Sequence, residues 1–364
     1  MKVIISGGGT GGHIFPALAI AEALVKSEKD IEILFVGAKG KMEMERVPAA
    51  GYPIKGLWIS GFQRKRSLKN WLFPIKLLVS LIQAARINFS FKPDVVVGVG
   101  GFASGPLLET AYRMGIPVVL QEQNSWPGIT NRILAKKAKK VCVAYEGMER
   151  FFPKENIVLT GNPIRSSILQ GGATPQEART HFGLAPDKKT IVVLGGSLGA
   201  RTINEALAAG APLLFGKQED VQVLWQTGKL YIDEFHNSTT AQLPNVQATA
   251  FIDRMDLAYT TADLVISRAG ALSISEIALT ATPAILVPSP NVAEDHQRKN
   301  ALSLVHKNAA GMIEDRVAVE QLIPEALKVI GEEELLETWS KALQSIAKPN
   351  AAQTIVQTIK EVVS

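Results

Sequence analysis

The sequence predicts an α/β protein made of two similar domains facing each other. Three observations carry this. A short apolar run, Val3-Ile4-Ile5, leads into Ser6-Gly7-Gly8-Gly9-Thr10-Gly11-Gly12-His13 and then into the helix-like Phe15-Pro16-Ala17-Leu18-Ala19-Ile20. The same order of strand, glycine loop and helix returns about 190 residues later, where Thr190-Ile191-Val192-Val193-Leu194 runs into Gly195-Gly196-Ser197-Leu198-Gly199-Ala200-Arg201. A chain of 364 residues is also long enough for two cores.

Composition narrows the class. The 46% hydrophobic and 20% charged residues are those of a soluble globular enzyme. The single cysteine, Cys142, excludes an internal disulfide and fits a reducing compartment; within Val141-Cys142-Val143 it reads as core. Only Val3-Ile4-Ile5 precede the first glycines, too few for the apolar part of a signal peptide. No run of about 18 apolar residues is present to span a bilayer. The net charge of +5 suits nucleic acid, anionic lipid or a phosphorylated substrate. Without zinc-finger spacing or an RNP-type aromatic motif, nucleic acid is not expected as a partner.

In chain order, the first loop places glycines where backbone and ligand approach closely, at a helix start whose N–H groups and partial positive charge suit a phosphate. Thr10 adds a hydroxyl there and His13 a titratable ring. The second strand, 31–36, ends in Gly37-Ala38 rather than the acid that a dinucleotide-binding unit uses for its ribose. The glycines are also more than the G-x-G-x-x-G pattern calls for, and the missing acid counts against an NAD-dependent oxidoreductase. Residues 58–91 combine Arg64-Lys65-Arg66 and Lys69 with Trp71-Leu72-Phe73-Pro74-Ile75 and Leu77-Leu78-Val79, with Lys76 and Arg86 interspersed. A cationic edge beside apolar residues suits an anionic bilayer surface; a buried helix behind a solvated basic loop is the alternative.

The strand Asp94-Val95-Val96-Val97-Gly98-Val99 opens onto a third glycine loop, Gly100-Gly101-Phe102-Ala103-Ser104-Gly105-Pro106. Two such loops in one domain would line the same carboxyl edge of a parallel sheet, where open α/β sheets bind ligands, and would grip a diphosphate. Glu122 and Asn124 stand after the strand Pro117-Val118-Val119-Leu120 as candidates for acid–base or polar contacts, with capping as the plain alternative for Asn124. Gly161-Asn162-Pro163 reads as a hinge, followed by Ile164-Arg165; an arginine there can pair with phosphate oxygens. The second domain begins near residue 164. Its strands are expected at 190–194, 221–225, 246–250, 264–267 and 284–287, and Ser267-Arg268-Ala269-Gly270 opens another helix whose first turns carry Glu276. Residues 333–363 are helical in pattern, and a terminal helix crosses back to the first domain.

There is no Asp-x-Asp, no cysteine or histidine cluster and no G-x-x-x-x-G-K-[ST], so neither a metal site of that kind nor a P-loop is supported, and no cofactor is expected. Helix N-termini and Arg165 can stabilise a nucleoside diphosphate leaving group. His13 or Glu122 can take the proton of an attacking hydroxyl.

Six segments together, Gly8-Gly9-Thr10-Gly11-Gly12-His13, Gly100-Gly101-Phe102-Ala103-Ser104-Gly105-Pro106, Glu122-Gln123-Asn124, Gly161-Asn162-Pro163-Ile164-Arg165, Gly195-Gly196-Ser197-Leu198-Gly199-Ala200-Arg201 and the stretch from Gly270 to Glu276, closely resemble the MurG family of peptidoglycan glycosyltransferases, in order over the whole chain. The resemblance implies the GT-B fold, two Rossmann-like parallel-sheet domains with a cleft between them. It implies an inverting, metal-independent transfer of N-acetylglucosamine (GlcNAc) from UDP-GlcNAc to the 4-hydroxyl of the muramoyl sugar of lipid I, giving lipid II at the cytoplasmic face of the membrane. Residues 1–163 would then form an acceptor- and membrane-binding domain, 164–340 a UDP-GlcNAc-binding domain and 341–364 the returning helix. Thr10, Gly11, Gly12, Gly100 and Gly101 would hold the acceptor diphosphate and approach the donor sugar, with His13 the leading base. Asn124 would contact the donor sugar. Arg165 and Ser197 would hold the UDP diphosphate. Ile252 would meet uracil through its backbone, and Glu276 would take the ribose. Ala271, Leu272, Ser273, Ile274 and Ser275 would line the phosphate pocket, and Gln297 would read the GlcNAc hydroxyls. Where the family often has His before Glu-Gln-Asn, this chain has Gln121, which throws more weight on His13 and Glu122. A related enzyme glycosylating diacylglycerol, and a silent UDP-sugar sensor, would share the donor site.

Overall fold

The computed structural model describes the chain apart from residues 62–71, 165, 170 and 197. Expectations placed on Arg64, Lys65, Arg66, Lys69, Trp71, Arg165 and Ser197 therefore lie outside the described residues. The chain forms two compact units, Met1–Arg165 with Asn350–Ser364, and Ser166–Pro349.

The first unit holds a seven-stranded, wholly parallel sheet: β1 (Lys2–Ser6), β2 (Glu32–Ala38), β3 (Ile54–Leu57), β4 (Val95–Gly98), β5 (Val118–Glu122), β6 (Lys140–Val143) and β7 (Ile157–Leu159), in the order β3-β2-β1-β4-β5-β6-β7. The strands read as continuous apolar runs because helices cover both faces of such a sheet. These are α1 (Gly11–Ser27), α2 (Glu43–Ala49), α3 (Phe73–Phe91), α4 (Ser104–Arg113) and α5 (Ile129–Leu134), together with the last helix of the chain, Ala351–Val363. The register sets Ser6 beside both Val36 and Gly98, so the loops after β1 and β4 leave the sheet side by side.

Two features, the first a difference from the sequence reading, matter for function. Strand β5 continues through Gln121 and Glu122, both buried, so these residues end the strand from within rather than follow it. Helix α3 turns small and polar residues inward, burying Ser80, Ala84, Ile87 and Asn88, while Ile75, Leu78, Ile82 and Phe89 stand exposed. Asn88 Nδ2 donates to Leu107 O (3.2 Å) and Thr110 Oγ1 (3.0 Å) of α4, which holds the helix in that orientation. Among the described residues, no helix is long and apolar enough to cross a membrane.

The second unit repeats the scheme with six parallel strands: β8 (Lys189–Leu194), β9 (Val221–Gln226), β10 (Val246–Thr249), β11 (Leu264–Ser267), β12 (Ala284–Leu286) and β13 (Gly311–Met312), in the order β10-β9-β8-β11-β12-β13. The short edge strands β3 and β13 have no counterpart in the sequence reading; at four and two residues they are too brief to show a pattern. The core of this unit gathers Trp225, Ile203, Leu207, Leu322, Ile323 and Ile330, and Trp225 Nε1 donates to Asn204 Oδ1 at 3.0 Å, satisfying its one polar atom.

The helical end of the chain is divided. Helix Glu333–Ile346 buries Trp339 in the second unit, and Pro349 then bars the helix from continuing. Helix Ala351–Val363 puts Ile355, Val356 and Ile359 into the same core as Val3, Ile5, Ile20, Leu24 and Cys142. Burial pushes the Cys142 thiol up to about 12, against a hydrogen bond with Thr358 of this helix. Lys360 pairs with Glu28 at the end of α1. Replacing Ile359 by alanine removes a fully buried side chain from the first unit and should cost about 2–5 kcal/mol in chemical unfolding. A loss under about 1 kcal/mol would show that the terminal helix is not part of that core.

Candidate active site

In each sheet the order of strands reverses at the middle, between β1 and β4 and between β8 and β11. Crossovers on either side of that point run to opposite faces, leaving a crevice at the carboxyl ends where open α/β sheets bind ligands. The loops singled out from the sequence lie at these two points, residues 7–10 and 99–103 in the first unit, 195–200 and 268–270 in the second.

In the first unit the two loops pack backbone on backbone. A Cβ at Gly101 (φ +91°) would lie 2.4 Å from Gly8 O. A Cβ at Gly100 (φ +95°) would lie 2.9 Å from both Cδ2 and Nε2 of His13. The left-handed backbone favours glycine at position 100, and a side chain there would also push the imidazole aside. Thr10 caps α1 with extended backbone, and its carbonyl accepts from His13 N (3.1 Å) and Ile14 N (3.2 Å). Its hydroxyl does not cap the helix but lies 3.2 Å from His13 Nδ1. That ring nitrogen is also 3.2 Å from Gly8 O. The N–H groups of Gly11 and Gly12 belong to the first helical turn, which has no acceptors of its own. The structure therefore brings Thr10, Gly11, Gly12, His13, Gly100 and Gly101 together.

A carboxylate missed by sequence reasoning supports this loop. Glu43, the first residue of α2, is 1% exposed; its Oε2 accepts from Gly9 N (2.9 Å) and its Oε1 from Ala38 N (3.0 Å). This buried carboxylate ties the end of β2 to the glycine loop. Nothing in its spacing signals this role.

Glu122 has the geometry of a loop anchor and not of a base open to an acceptor. It is 2% exposed, and its Oε1 accepts from Asn124 N (3.0 Å) and Nδ2 (3.2 Å), its Oε2 from Asn131 Nδ2 (2.9 Å) and Gly128 N (3.1 Å). Burial raises its pKa against the pull of these four bonds. The same bonds fix half-buried Asn124 at the mouth of the strand. Gln121 is likewise structural: its Nε2 donates to Asn162 Oδ1 (3.0 Å), and Asn162 Nδ2 donates to Gln123 O (3.0 Å). The amides bind the Gly161-Asn162-Pro163 segment to the end of β5.

In the second unit Gly199 (φ +91°) lets the loop after β8 pack on the loop after β9; a Cβ there would lie 2.2 Å from Thr227 O. Helix Ala271–Thr280 starts after Gly270, which is extended at φ −66° and ψ 144°. Ala271 and Ile274 turn their side chains into the core, so what they offer at the helix start is backbone; Leu272, Ser273 and Ser275 are half-buried, with Ser275 Oγ donating back to Ala271 O. Glu276, one turn on, accepts a 3.0 Å bond from Tyr259 OH, a second residue that sequence reasoning missed. Ile252 N donates to Gln226 Oε1 (2.9 Å), and Gln226 Nε2 donates to Gly196 O (2.9 Å), so one side chain links the glycine loop to the 251–253 turn. Gln297 stands in the first turn of helix His296–Val305, and its Oε1 accepts from Ser289 N at 2.9 Å. The two residues before that helix, Glu294 (φ 57°) and Asp295 (φ 54°), both hold left-handed backbone, a strain of about 1–3 kcal/mol each that clusters at functional sites.

Comparison with known proteins places this geometry. The chain matches the glycosyltransferase family 28 N-terminal domain over residues 3–143 and the family 28 C-terminal domain over 190–355. It is 53% identical to the UDP-N-acetylglucosamine--N-acetylmuramyl-(pentapeptide) pyrophosphoryl-undecaprenol N-acetylglucosamine transferase of Parabacteroides distasonis, covering 100% of this chain and 98% of that one. It is 53% identical to the transferase of the same name from Phocaeicola vulgatus, covering 99% and 96%. The crystal structure of Acinetobacter baumannii MurG superposes with a TM-score of 0.79 at 31% identity, over 99% of both chains. Two parallel-sheet units with their glycine loops at the switch points, matched from end to end, make this chain a member of glycosyltransferase family 28, of the GT-B fold.

Proposed function

We infer that the protein transfers GlcNAc from UDP-GlcNAc to the 4-hydroxyl of the muramoyl sugar in lipid I, with inversion, giving lipid II for the cell wall. The observation that carries this reading is the 53% identity over the whole chain to a transferase of that name. The acceptor hydroxyl attacks the anomeric carbon as the bond to the UDP oxygen breaks, and its proton passes to His13. Glu122 is set aside as the base because four donors already hold its carboxylate. The loops at Thr10-Gly11-Gly12 and Gly100-Gly101 hold the acceptor diphosphate against the start of α1. Asn124 meets the donor sugar.

On the donor side, the start of helix Ala271–Thr280, with Arg165 and Ser197, takes the UDP diphosphate and its developing charge. Ile252 meets uracil through its carbonyl, since its N–H is committed to Gln226. Glu276 holds the ribose, steadied by Tyr259. Gln297, its oxygen held by Ser289 N, offers its amide N–H groups to the GlcNAc hydroxyls.

The acceptor is a membrane lipid, and we place its surface at α3. Ile75, Leu78 and Ile82 lie three and four residues apart on one exposed face, with Phe89 two turns on and Lys76 and Arg86 alongside. The protein then works as a peripheral enzyme on the cytoplasmic face of the membrane, attracted by anionic headgroups.

Transfer of radiolabelled GlcNAc to a short-chain lipid I analogue, with EDTA present, tests the activity and its independence of metal together. Donor binding without transfer to lipid I, but with transfer to diacylglycerol, would overturn the acceptor assignment. His13→Ala should lower kcat by about 10²–10⁴-fold with donor binding intact, and near-normal turnover would remove His13 as the base. Replacing Ile75, Leu78 and Ile82 together by serine should abolish cosedimentation with anionic vesicles, and a folded variant that still sediments with them would move the membrane surface elsewhere.

A further inference from the structure

The Gly8–Gly9 peptide is held at both ends. Its N–H, from Gly9, donates to Glu43 Oε2 at 2.9 Å, and its carbonyl, Gly8 O, lies 3.2 Å from His13 Nδ1. A carbonyl oxygen only accepts. The contact is a hydrogen bond when Nδ1 carries the proton; with a lone pair on Nδ1 it would set two acceptors against each other. Thr10 Oγ1, at 3.2 Å from the same nitrogen, serves either way because a hydroxyl both donates and accepts. The peptide therefore selects the tautomer protonated at Nδ1, which leaves the lone pair on Nε2, the atom beside Gly100.

We propose that Glu43 is a positioning residue for the reaction, its carboxylate acting through the Gly8–Gly9 peptide to hold His13 as the Nδ1–H tautomer and to strengthen it as a base. This rests on the reading of His13 as the proton acceptor. The physics is that of a carboxylate–histidine pair with one amide inserted. A negative charge on the N–H side of a peptide polarises it and makes its carbonyl a better acceptor, and hydrogen bonds in series reinforce one another. The arrangement favours the imidazolium formed when the proton arrives, as a directly bonded carboxylate does.

The surroundings leave Glu43 as the charge best placed to do this. Of the elements packed on α1, α2 contributes Glu43, which is buried and bonded to Gly9 N, while its other charged residues, Glu45 and Arg46, are exposed. The charged groups of α1 itself, Glu22 with Lys26, pair with each other on its later turns. The terminal helix brings Lys360 to Glu28, 15 residues beyond His13 and so about 22 Å along the helix. The charged residue of β1, Lys2, lies at the opposite end of that strand and pairs with Glu32. Beyond Gly100, Glu122 is held behind Asn131. Both oxygens of Glu43 accept from backbone N–H groups, so glutamine is no substitute: its NH2 would face one of them.

The test reads the ring and the rate separately. In the wild-type protein, nitrogen shifts of the His13 ring, assigned among five histidines by comparison with His13→Ala, should show the Nδ1–H tautomer. An Nε2–H tautomer overturns the proposal without any variant of Glu43. Glu43→Gln should lower the ring's pKa by roughly half a unit. It should move the acid limb of kcat/KM down by the same amount, with kcat falling about tenfold and KM for UDP-GlcNAc unchanged. Glu43→Asp, which keeps the charge but withdraws it from Gly9, should shift the ring the same way by less, and serves if the glutamine variant does not fold. An unshifted ring in a folded variant overturns the role of Glu43. Should His13→Ala itself keep the acid limb, the base assignment fails, whatever the ring in the Glu43 variants does.

Discussion

The structure depends on one topological constraint, the reversal of strand order at the middle of each parallel sheet. A right-handed crossover from β1 to β2 and one from β4 to β5 must cover opposite faces, so these two crossovers diverge at the carboxyl ends of β1 and β4. The same holds for β8 and β11. Whatever the chain places directly after those four strands stands at that edge of its sheet. The glycine content of these loops follows, because two loops leaving neighbouring strands about 5 Å apart touch through their main chains. At Gly101 against Gly8, and at Gly199 against Thr227, there is no space for a side chain.

This explains what was legible in the sequence. A loop that must be glycine announces itself, and so does a buried parallel strand, since both are local demands on composition. The loops at 7–13, 100–106 and 195–201 and most strands were readable for that reason. The groups that hold the loops in place were not. Glu43 reaches Gly9 across 34 residues of chain from the start of a helix, where an acid also has an ordinary place beside the helix dipole. Tyr259 finds Glu276 in the same non-local way. Glu122 was legible as a special residue but not in its role. Asn124 beside it read as a polar contact for a ligand, and only the closure of Asn124 and Asn131 around its two oxygens shows the carboxylate held as an anchor. α3 is the opposite case, since its apolar residues suggested burial as readily as exposure. What settles it is Asn88, whose two bonds to α4 fix which face turns in.

Buried polar groups thus do much of the shaping here. A carboxylate or amide left without partners inside a protein costs several kcal/mol, so each such group permits one arrangement of the loop around it and penalises others. Glu43, Glu122, Gln121 and Gln226 each close a loop onto a neighbouring strand. The chain gains definition at the ends of its strands, where hydrophobic packing has run out.

Helix Ala351–Val363 gives this architecture an order in time. Its isoleucines complete the core beneath β1 and α1, yet they are synthesised after the whole of the second unit. As the chain leaves the ribosome, the unit begun first is finished last. The loop carrying His13 therefore rests on an incomplete core until the final turns emerge, and a chain interrupted anywhere in the second unit leaves that loop without its full support.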